Sequence, residues 1–235
     1  MKNPFRFSIL PYFTLGAGAL GLCLRFWLFS ATDEKGLLPF FHIADPLLYI
    51  LTALTLGVLF LACRQRCGSP FRPDFMRLWA LAGDILGCVC LLAAVVCNLR
   101  GGAIGTIGCL LSALAMLTAA LWRLMKKAAP YWLFTILTAA LMLCIIAQCR
   151  EWGAEPQLQA YFFPLMAAVF AILAAYHRTL LAAGQKKQRP LAFFSQGCLF
   201  FSFLSLNTSQ WPLYLGLLCW AGALILPCYR KKKEE

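Results

Sequence analysis

Apolar runs of about twenty residues recur along the whole chain, and only short polar stretches separate them. A helix of that length crosses a hydrocarbon core of about 30 Å. A chain inside lipid must also pair its own backbone polar groups, which favours helices. The pattern therefore predicts an all-α, polytopic membrane bundle with eight transmembrane helices. We expect them at 8–30, 46–63, 78–98, 103–125, 131–149, 161–183, 191–207 and 211–229.

Composition excludes a soluble globular protein. Hydrophobic residues make up 62% of the chain and charged residues 13%, and the mean hydropathy is +0.75. Soluble domains carry about 45–50% apolar and about 25% charged residues. The net charge of +12 arises in short connectors beside the predicted helix ends, where basic residues face anionic lipid. We therefore expect membrane lipids, and not nucleic acid, as partners.

Basic residues are distributed unevenly between the two sides of the membrane that the eight spans define. One side keeps only Arg25, Lys35, Arg100 and Arg150. The positive-inside rule places the richer side in the cytoplasm, so both termini are predicted to be cytoplasmic. The richer side carries 17 of the 21 basic residues: Lys2, Arg6, Arg64, Arg66, Arg72, Arg77, Arg123, Lys126, Lys127, Arg178, Lys186, Lys187, Arg189, Arg230, Lys231, Lys232 and Lys233.

A G-x-G-x-x-G motif lies inside the first predicted helix. A dinucleotide fingerprint needs a preceding strand and a helix that begins within the motif, and neither is expected here. Small residues instead let neighbouring helices approach closely, within one chain or between partners in a homo- or hetero-oligomer. We expect this packing role for Gly16, Gly18 and Gly21, and likewise for Gly101, Gly105 and Gly108.

The two halves of the chain share short sequence matches in the same order. They predict a duplication of four helices, with repeats at 1–127 and 128–235. Four is an even number, so both halves would run the same way through the bilayer, as in some transporters that bind substrate between parallel repeats. Prolines common at helix starts offer a simpler explanation for some matches. The anchors are Pro11 with Pro130, Pro46 with Pro164, Arg72 with Arg189, Gly87 with Gly197, Asn98 with Asn207 and Gly108 with Gly216.

An aspartate, Asp84, stands inside the third predicted helix, seven residues past Arg77. Ionisable groups at membrane depth are functional-site candidates by default. Under the repeat, the equivalent positions are Ser195 and Gln196, so Asp84 and Gln196 could meet across the axis between the halves. Two interpretations are open: a polar intramembrane site that carries a proton, and an aspartate that is hydrogen-bonded for packing specificity.

A second candidate site lies towards the outer face. Arg25 stands near the outer end of the first helix, and the following connector carries Asp33, Glu34, His42 and Asp45. Arg25 could extend to the outer interface, pair with Asp45, or contact a ligand anion. Residues 37–44 are apolar and aromatic apart from a proline and the histidine, so we expect this connector to lie on the outer interface.

The stretch "LRFWLFSATDEKGLLPFFHIADP" around this connector resembles uncharacterised bacterial polytopic membrane proteins of similar size. The resemblance covers about thirty residues and has no activity attached. It implies a bacterial plasma membrane as the setting.

The other candidate chemistry in the sequence is sparse. Most of the twelve cysteines lie inside predicted helices, and we interpret them as small apolar residues. Cys63 and Cys67 could contribute two ligands to a zinc site, but such a site needs four. We predict no metal and no cofactor, and no nucleophile is placed with a base, so the sequence gives no support for an enzyme.

Three function classes remain open at this point. The leading hypothesis is a small-solute permease with a polar site between two four-helix halves and a small-molecule ligand. The first alternative is a non-catalytic accessory or sensory protein that acts through helix packing. The second alternative is a membrane enzyme acting on lipid at the outer face. A polar cavity reaching Asp84 favours the permease, and a closely packed interior favours the accessory role.

Overall fold

The structure is a computed structural model that describes residues 10–31, 42–65, 77–98, 102–125, 129–152, 161–185 and 188–225. Within these ranges the chain folds into eight α-helices. They are α1 (Leu10–Ser30), α2 (Ala44–Gln65), α3 (Arg77–Asn98), α4 (Ala103–Leu124), α5 (Tyr131–Trp152), α6 (Phe162–Ala182), α7 (Gln188–Leu204) and α8 (Trp211–Ile225). A short 3-10 helix, Ser205–Asn207, follows α7.

The described helices agree closely with the spans expected from hydropathy. Seven of them are long and apolar enough to cross a membrane, and the eighth, α8, is a shorter apolar helix. The protein is therefore a multi-pass α-helical membrane protein. One boundary differs noticeably, because α5 continues to Trp152. Arg150 therefore lies in the last turn of the helix, although it was expected in the connector that follows.

Helix ends form where the sequence supplies the right backbone conformation. Gly102, which precedes α4, has a φ of 128°, and Gly184, which follows α6, has a φ of 88°. Both values lie in the left-handed region that glycine adopts without steric cost. The N–H of Gly184 donates to the Leu181 carbonyl, and that of Gln185 donates to the Leu180 carbonyl. This pair of bonds is the Schellman motif that ends many helices.

The helices pack into one bundle around α7. In α7 61% of the membrane window is buried, whereas the windows of α1 and α2 are each 28% buried. α3 packs on α4 and α8, α5 packs on α4 and α6, and α7 packs on α6, α8, α1 and α2. The apolar core between them contains Trp220, Phe200, Phe201 and Met116. α2 lies at the edge of the bundle.

Glycines set several of these helix contacts, as expected. A Cβ on Gly18 would lie 3.0 Å from the Phe203 side chain, and one on Gly21 would lie 2.9 Å from Leu204, so both pack against α7. In contrast, a Cβ on Gly16 would meet nothing within 4 Å, so Gly16 takes no part in this contact. Gly105 packs against Ala147 of α5, and Gly101 lies outside the described residues.

Helices α3 and α8 approach each other closely. A Cβ on Gly83 would lie 2.4 Å from the Cβ of Ala223 and 2.8 Å from the carbonyl oxygen of Cys219. One on Gly87 would lie 3.2 Å from the carbonyl oxygen of Gly216. The backbones of these two helices are therefore in near contact.

The pattern of helix contacts is not twofold. α6 packs extensively on α7, but α2 and α3, which the duplication would make equivalent to them, form no comparable contact. Similarly, α3 packs on α8 without a matching interface between α7 and α4. The internal repeat therefore stays a prediction.

Candidate functional site

Asp84 forms an ion pair with Arg123. The Arg123 Nη1 and the Asp84 Oδ2 lie 3.0 Å apart, although the two atoms are not aligned as a hydrogen bond. Asp84 lies on α3, and Arg123 lies in the last turn of α4. Only 1% of the Asp84 side chain is exposed, against 16% for Arg123. The carboxylate is therefore buried inside the bundle, and the guanidinium extends back along α4 to reach it.

A second arginine lies close enough to act on the same carboxylate. Arg178 of α6 contributes an attractive electrostatic interaction with Asp84, and its guanidinium carbon lies 5.2 Å from the centre of the Phe134 ring on α5. Three helices, α3, α4 and α6, thus converge on one acidic group. Two arginines thus face one buried carboxylate, and their attraction helps to hold the acidic side chain in place.

Ser195 and Gln196 lie fully inside the bundle on α7, as their position opposite Asp84 in the repeat suggested. However, α7 and α3 have no extensive interface, and the ion-pair partner of Asp84 is Arg123 rather than Gln196. Among the described residues, Ser195 Oγ has no hydrogen-bond partner. A shared site of Asp84, Ser195 and Gln196 therefore stays a prediction.

Arg25 is buried, with a relative exposure of 2%. It donates a hydrogen bond from Nη1 to the carbonyl oxygen of Leu204, at the end of α7. Its guanidinium carbon also lies 5.4 Å from the ring centre of Phe29 and 5.5 Å from that of Phe163. Arg25 therefore points into the bundle and does not extend along its lipid-facing surface, and its positive charge meets the C-terminal end of α7, where a cation is favoured.

The outer connector is described only in part. Asp33 and Glu34 lie outside the described residues. The Nδ1 atom of His42 accepts a hydrogen bond from the Ala44 N–H at 3.2 Å, and its ring meets Trp27 edge-on at 5.2 Å. His42 thus helps to begin α2, and Asp45 stands in the first turn of that helix, where a negative charge is favoured.

A polar network that the sequence analysis missed lies between α5 and α8. Gln148 Nε2 donates to Gln210 Oε1 at 2.6 Å, and the Tyr214 hydroxyl donates to Gln148 Oε1 at 3.2 Å. Gln148 is 3% exposed and Tyr214 is 1% exposed. A glutamine four residues from the end of a hydrophobic helix was a visible signal, but its uncharged side chain did not stand out beside Arg25 and Asp84.

A small cavity adjoins this network. Its volume is about 10 Å³, which is room for about one water molecule. Gln148 and Gln210 line it together with Cys109 and Cys144. Asp84 is not among its lining residues, so this cavity does not connect to the ion pair of Asp84 with Arg123.

We expect Gln148→Leu to destabilise the protein by about 1–3 kcal/mol, because it leaves the buried Tyr214 hydroxyl without its acceptor. Chemical denaturation of the purified protein in detergent measures the effect. Tyr214→Phe is the matched variant, and it should cost less, since Gln148 keeps its bond to Gln210. Wild-type stability in Gln148→Leu would show that the network contributes nothing.

Within the described ranges, no three His, Cys, Asp or Glu side chains lie close enough together to hold a metal ion. No protein-family model matches the chain, and no curated protein or solved structure matches it either. The contacts described above are therefore the basis for inferring what the protein does.

Proposed function

We propose that the protein is a non-catalytic accessory or sensory component of a bacterial plasma membrane and that it acts through helix contacts, with both termini in the cytoplasm. The observation that carries this proposal is the packing between the two halves of the chain. Helices α3 and α8 belong to different halves, and so do α4 and α5. Both pairs approach so closely that no side chain larger than glycine fits between them at Gly83 and Gly108.

Such an interface argues against a substrate site between the halves. A transporter of the type expected from the sequence needs space there, and its halves must move against one another. Here the Cβ of a residue replacing Gly108 would lie 3.0 Å from the carbonyl oxygen of Ala140 and 3.0 Å from the amide nitrogen of Cys144. Close packing of this kind is what holds membrane helices together in lipid.

The buried charges support the same proposal. Asp84 is engaged by Arg123, and Arg25 is engaged by the end of α7. In each case the partner of the charged group belongs to the protein itself. Buried ion pairs contribute little net stability, but they favour one arrangement of helices over others in some proteins. A fixed arrangement suits a protein that presents a constant surface to a partner.

Water access to Ser195 tests the proposal. Ser195→Cys is a small change at a fully buried position, and a closed bundle should protect the new thiol. We expect a membrane-impermeant maleimide not to modify the introduced thiol of Ser195→Cys, either in right-side-out or in inside-out membrane vesicles. Mass spectrometry of the digested protein identifies which residues carry the label, so the native cysteines do not interfere.

Two exposed positions serve as controls. Gln185 follows α6 and Ser209 precedes α8, and both are exposed. With both termini in the cytoplasm, Gln185→Cys should react only in inside-out vesicles, and Ser209→Cys only in right-side-out vesicles. Reaction of both variants from the same face would contradict the proposed topology. Modification of Ser195→Cys from one face would reveal an aqueous path and overturn the accessory role.

A permease is the second candidate, and one observation favours it. Asp84, Arg123 and Arg178 form a charged cluster at membrane depth, where charges are costly and commonly mark an ion or substrate pathway. In a permease the Asp84–Arg123 pair would close the inner end of the path, between halves at 1–127 and 128–235 related by the proposed duplication. One-sided labelling of Ser195→Cys is the result expected for this candidate.

A further inference from the structure

Two cysteine side chains face each other across the interface between α4 and α5. The Sγ atoms of Cys109 and Cys144 lie 3.8 Å apart. Both residues are buried, with relative exposures of 0% and 4%, and both sulfurs are present as thiols. The hydropathy of the sequence explains why cysteines are tolerated here, but it does not explain why two of them meet.

The backbones of α4 and α5 approach each other closely beside this pair. Gly108 precedes Cys109, and a Cβ on Gly108 would lie 2.8 Å from the Cys144 Sγ. A disulfide has an S–S length of about 2.05 Å and needs Cα atoms about 4.4–6.8 Å apart. The two sulfurs, now 3.8 Å apart, therefore have to approach each other by about 2 Å to form the bond.

A space about the size of one water molecule adjoins the pair. Cys109 and Cys144 both line the cavity beside Gln148 and Gln210. Cys109 stands six residues after the first residue of α4, and Cys144 stands eight residues before the last residue of α5, so the cavity lies about 9–12 Å from those helix ends at about 1.5 Å per residue. These ends belong to the predicted outer face, which is the more oxidising side of a bacterial plasma membrane.

We propose that Cys109 and Cys144 form an oxidation site that closes into a disulfide between α4 and α5, with a hydroperoxide as the oxidant. One sulfur attacks the peroxide oxygen, which breaks the O–O bond and gives a sulfenic acid; with hydrogen peroxide the other product is water. The second thiol then attacks that sulfur, so the S–S bond forms and a second water leaves. Two thiols lose two electrons, and the peroxide takes them up.

The link would join the two halves of the chain, since α4 ends the first half and α5 begins the second. A second pair has a similar placement: Cys90 of α3 and Cys219 of α8 lie on two helices that pack together, and a Cβ on Gly216 of α8 would lie 3.3 Å from the Cys90 Cβ. A disulfide between Cys109 and Cys144 would hold the two halves together until a reductant cleaves it. This inference goes beyond the proposed function and does not depend on it.

Peptide mapping of the full-length protein tests the proposal. Purified protein in detergent is treated with hydrogen peroxide, the remaining thiols are alkylated under denaturing conditions, and the digest is analysed by mass spectrometry without reductant. We expect the Cys109 and Cys144 peptides to be recovered as one linked species, which dithiothreitol separates. Because this measurement uses the unaltered chain, it does not depend on how any variant folds.

Two variants sharpen the test. Cys109→Ser should abolish the linked species. Cys198→Ser is the matched control, since Cys198 is equally buried but its Sγ lies 3.8 Å from the Ser202 hydroxyl instead of a thiol, and it should leave the Cys109–Cys144 link intact. Recovery of Cys109 and Cys144 as separate peptides, or linked to other cysteines, would overturn the proposal. Labelling of Ser195→Cys would count against the accessory role and leave the disulfide unaffected.

Discussion

Of the single substitutions at the Asp84–Arg123 ion pair, Arg123→Met is expected to cause the largest loss of stability, about 3–5 kcal/mol. The variant removes the cation that lies 3.0 Å from the Asp84 carboxylate, and the Asp84 side chain is only 1% exposed. A buried negative charge then loses its partner. An uncompensated buried charge is far more costly than the pair is favourable. The nearby Arg178 lowers the cost and places the expected value at the lower end of this range. Unfolding in a denaturant series, in a fixed detergent, measures it.

Substitution of the acidic partner should cost less stability. The difference between the two single variants is therefore the more discriminating measurement. Asp84→Asn leaves Arg123 with 16% exposure at the end of α4, from where a long side chain can turn to the interface. The double variant Asp84→Asn with Arg123→Met removes both charges and should be more stable than Arg123→Met alone. Equal losses in the two single variants would show that the pair is not buried as described.

Gly83→Ala is expected to destabilise the protein by about 1–3 kcal/mol through overpacking. The new methyl group would lie 2.4 Å from the Ala223 Cβ and 2.8 Å from the Cys219 carbonyl oxygen. The carbonyl belongs to a helix backbone that cannot move without shifting α8. This loss should exceed the gain of roughly 1 kcal/mol that alanine brings to a helix interior relative to glycine. The same denaturation assay measures it.

Gly222→Ala provides the matched control. Gly222 lies on α8 next to Ala223, but a Cβ there would meet nothing within 4 Å. The substitution should therefore be neutral or slightly stabilising. Combining Gly83→Ala with Ala223→Gly removes the closest contact and should recover part of the loss. If Gly83→Ala and Gly222→Ala behaved alike, the close contact between α3 and α8 would not exist in the membrane protein.

The helices could be predicted from the sequence because lipid imposes a single requirement on every spanning segment. A run of apolar residues long enough to cross the hydrocarbon core must be helical, so hydropathy alone located α1 to α8 to within a few residues. Hydropathy does not indicate how far a long side chain extends from its own helix or which residue it contacts. Arg123 lies near the end of the predicted span 103–125 and was counted among the basic residues of the cytoplasmic side, yet its side chain meets Asp84 inside the bundle.

Two other features of the site were not predicted. The sequence contains a pattern that indicates the first of them, but it contains none for the second. Gly83 and Gly87 form a G-x-x-x-G pattern around Asp84, which by itself predicts a close helix interface. In contrast, the acceptor for Arg25 is a backbone carbonyl 179 residues away. No property of Leu204 as a residue type indicates that role. Only the position of α7 in the bundle supplies it.

The bond between Arg25 and Leu204 also imposes an order on biosynthesis. A ribosome adds about 5–20 residues per second, so roughly 9–36 seconds pass between synthesis of Arg25 and synthesis of its acceptor. During that interval α1 carries a charge that lipid disfavours, and we expect it to remain near the membrane surface or beside the insertion machinery. The hydrogen bond that holds Arg25 inside the bundle can therefore form only after the seventh helix has been made.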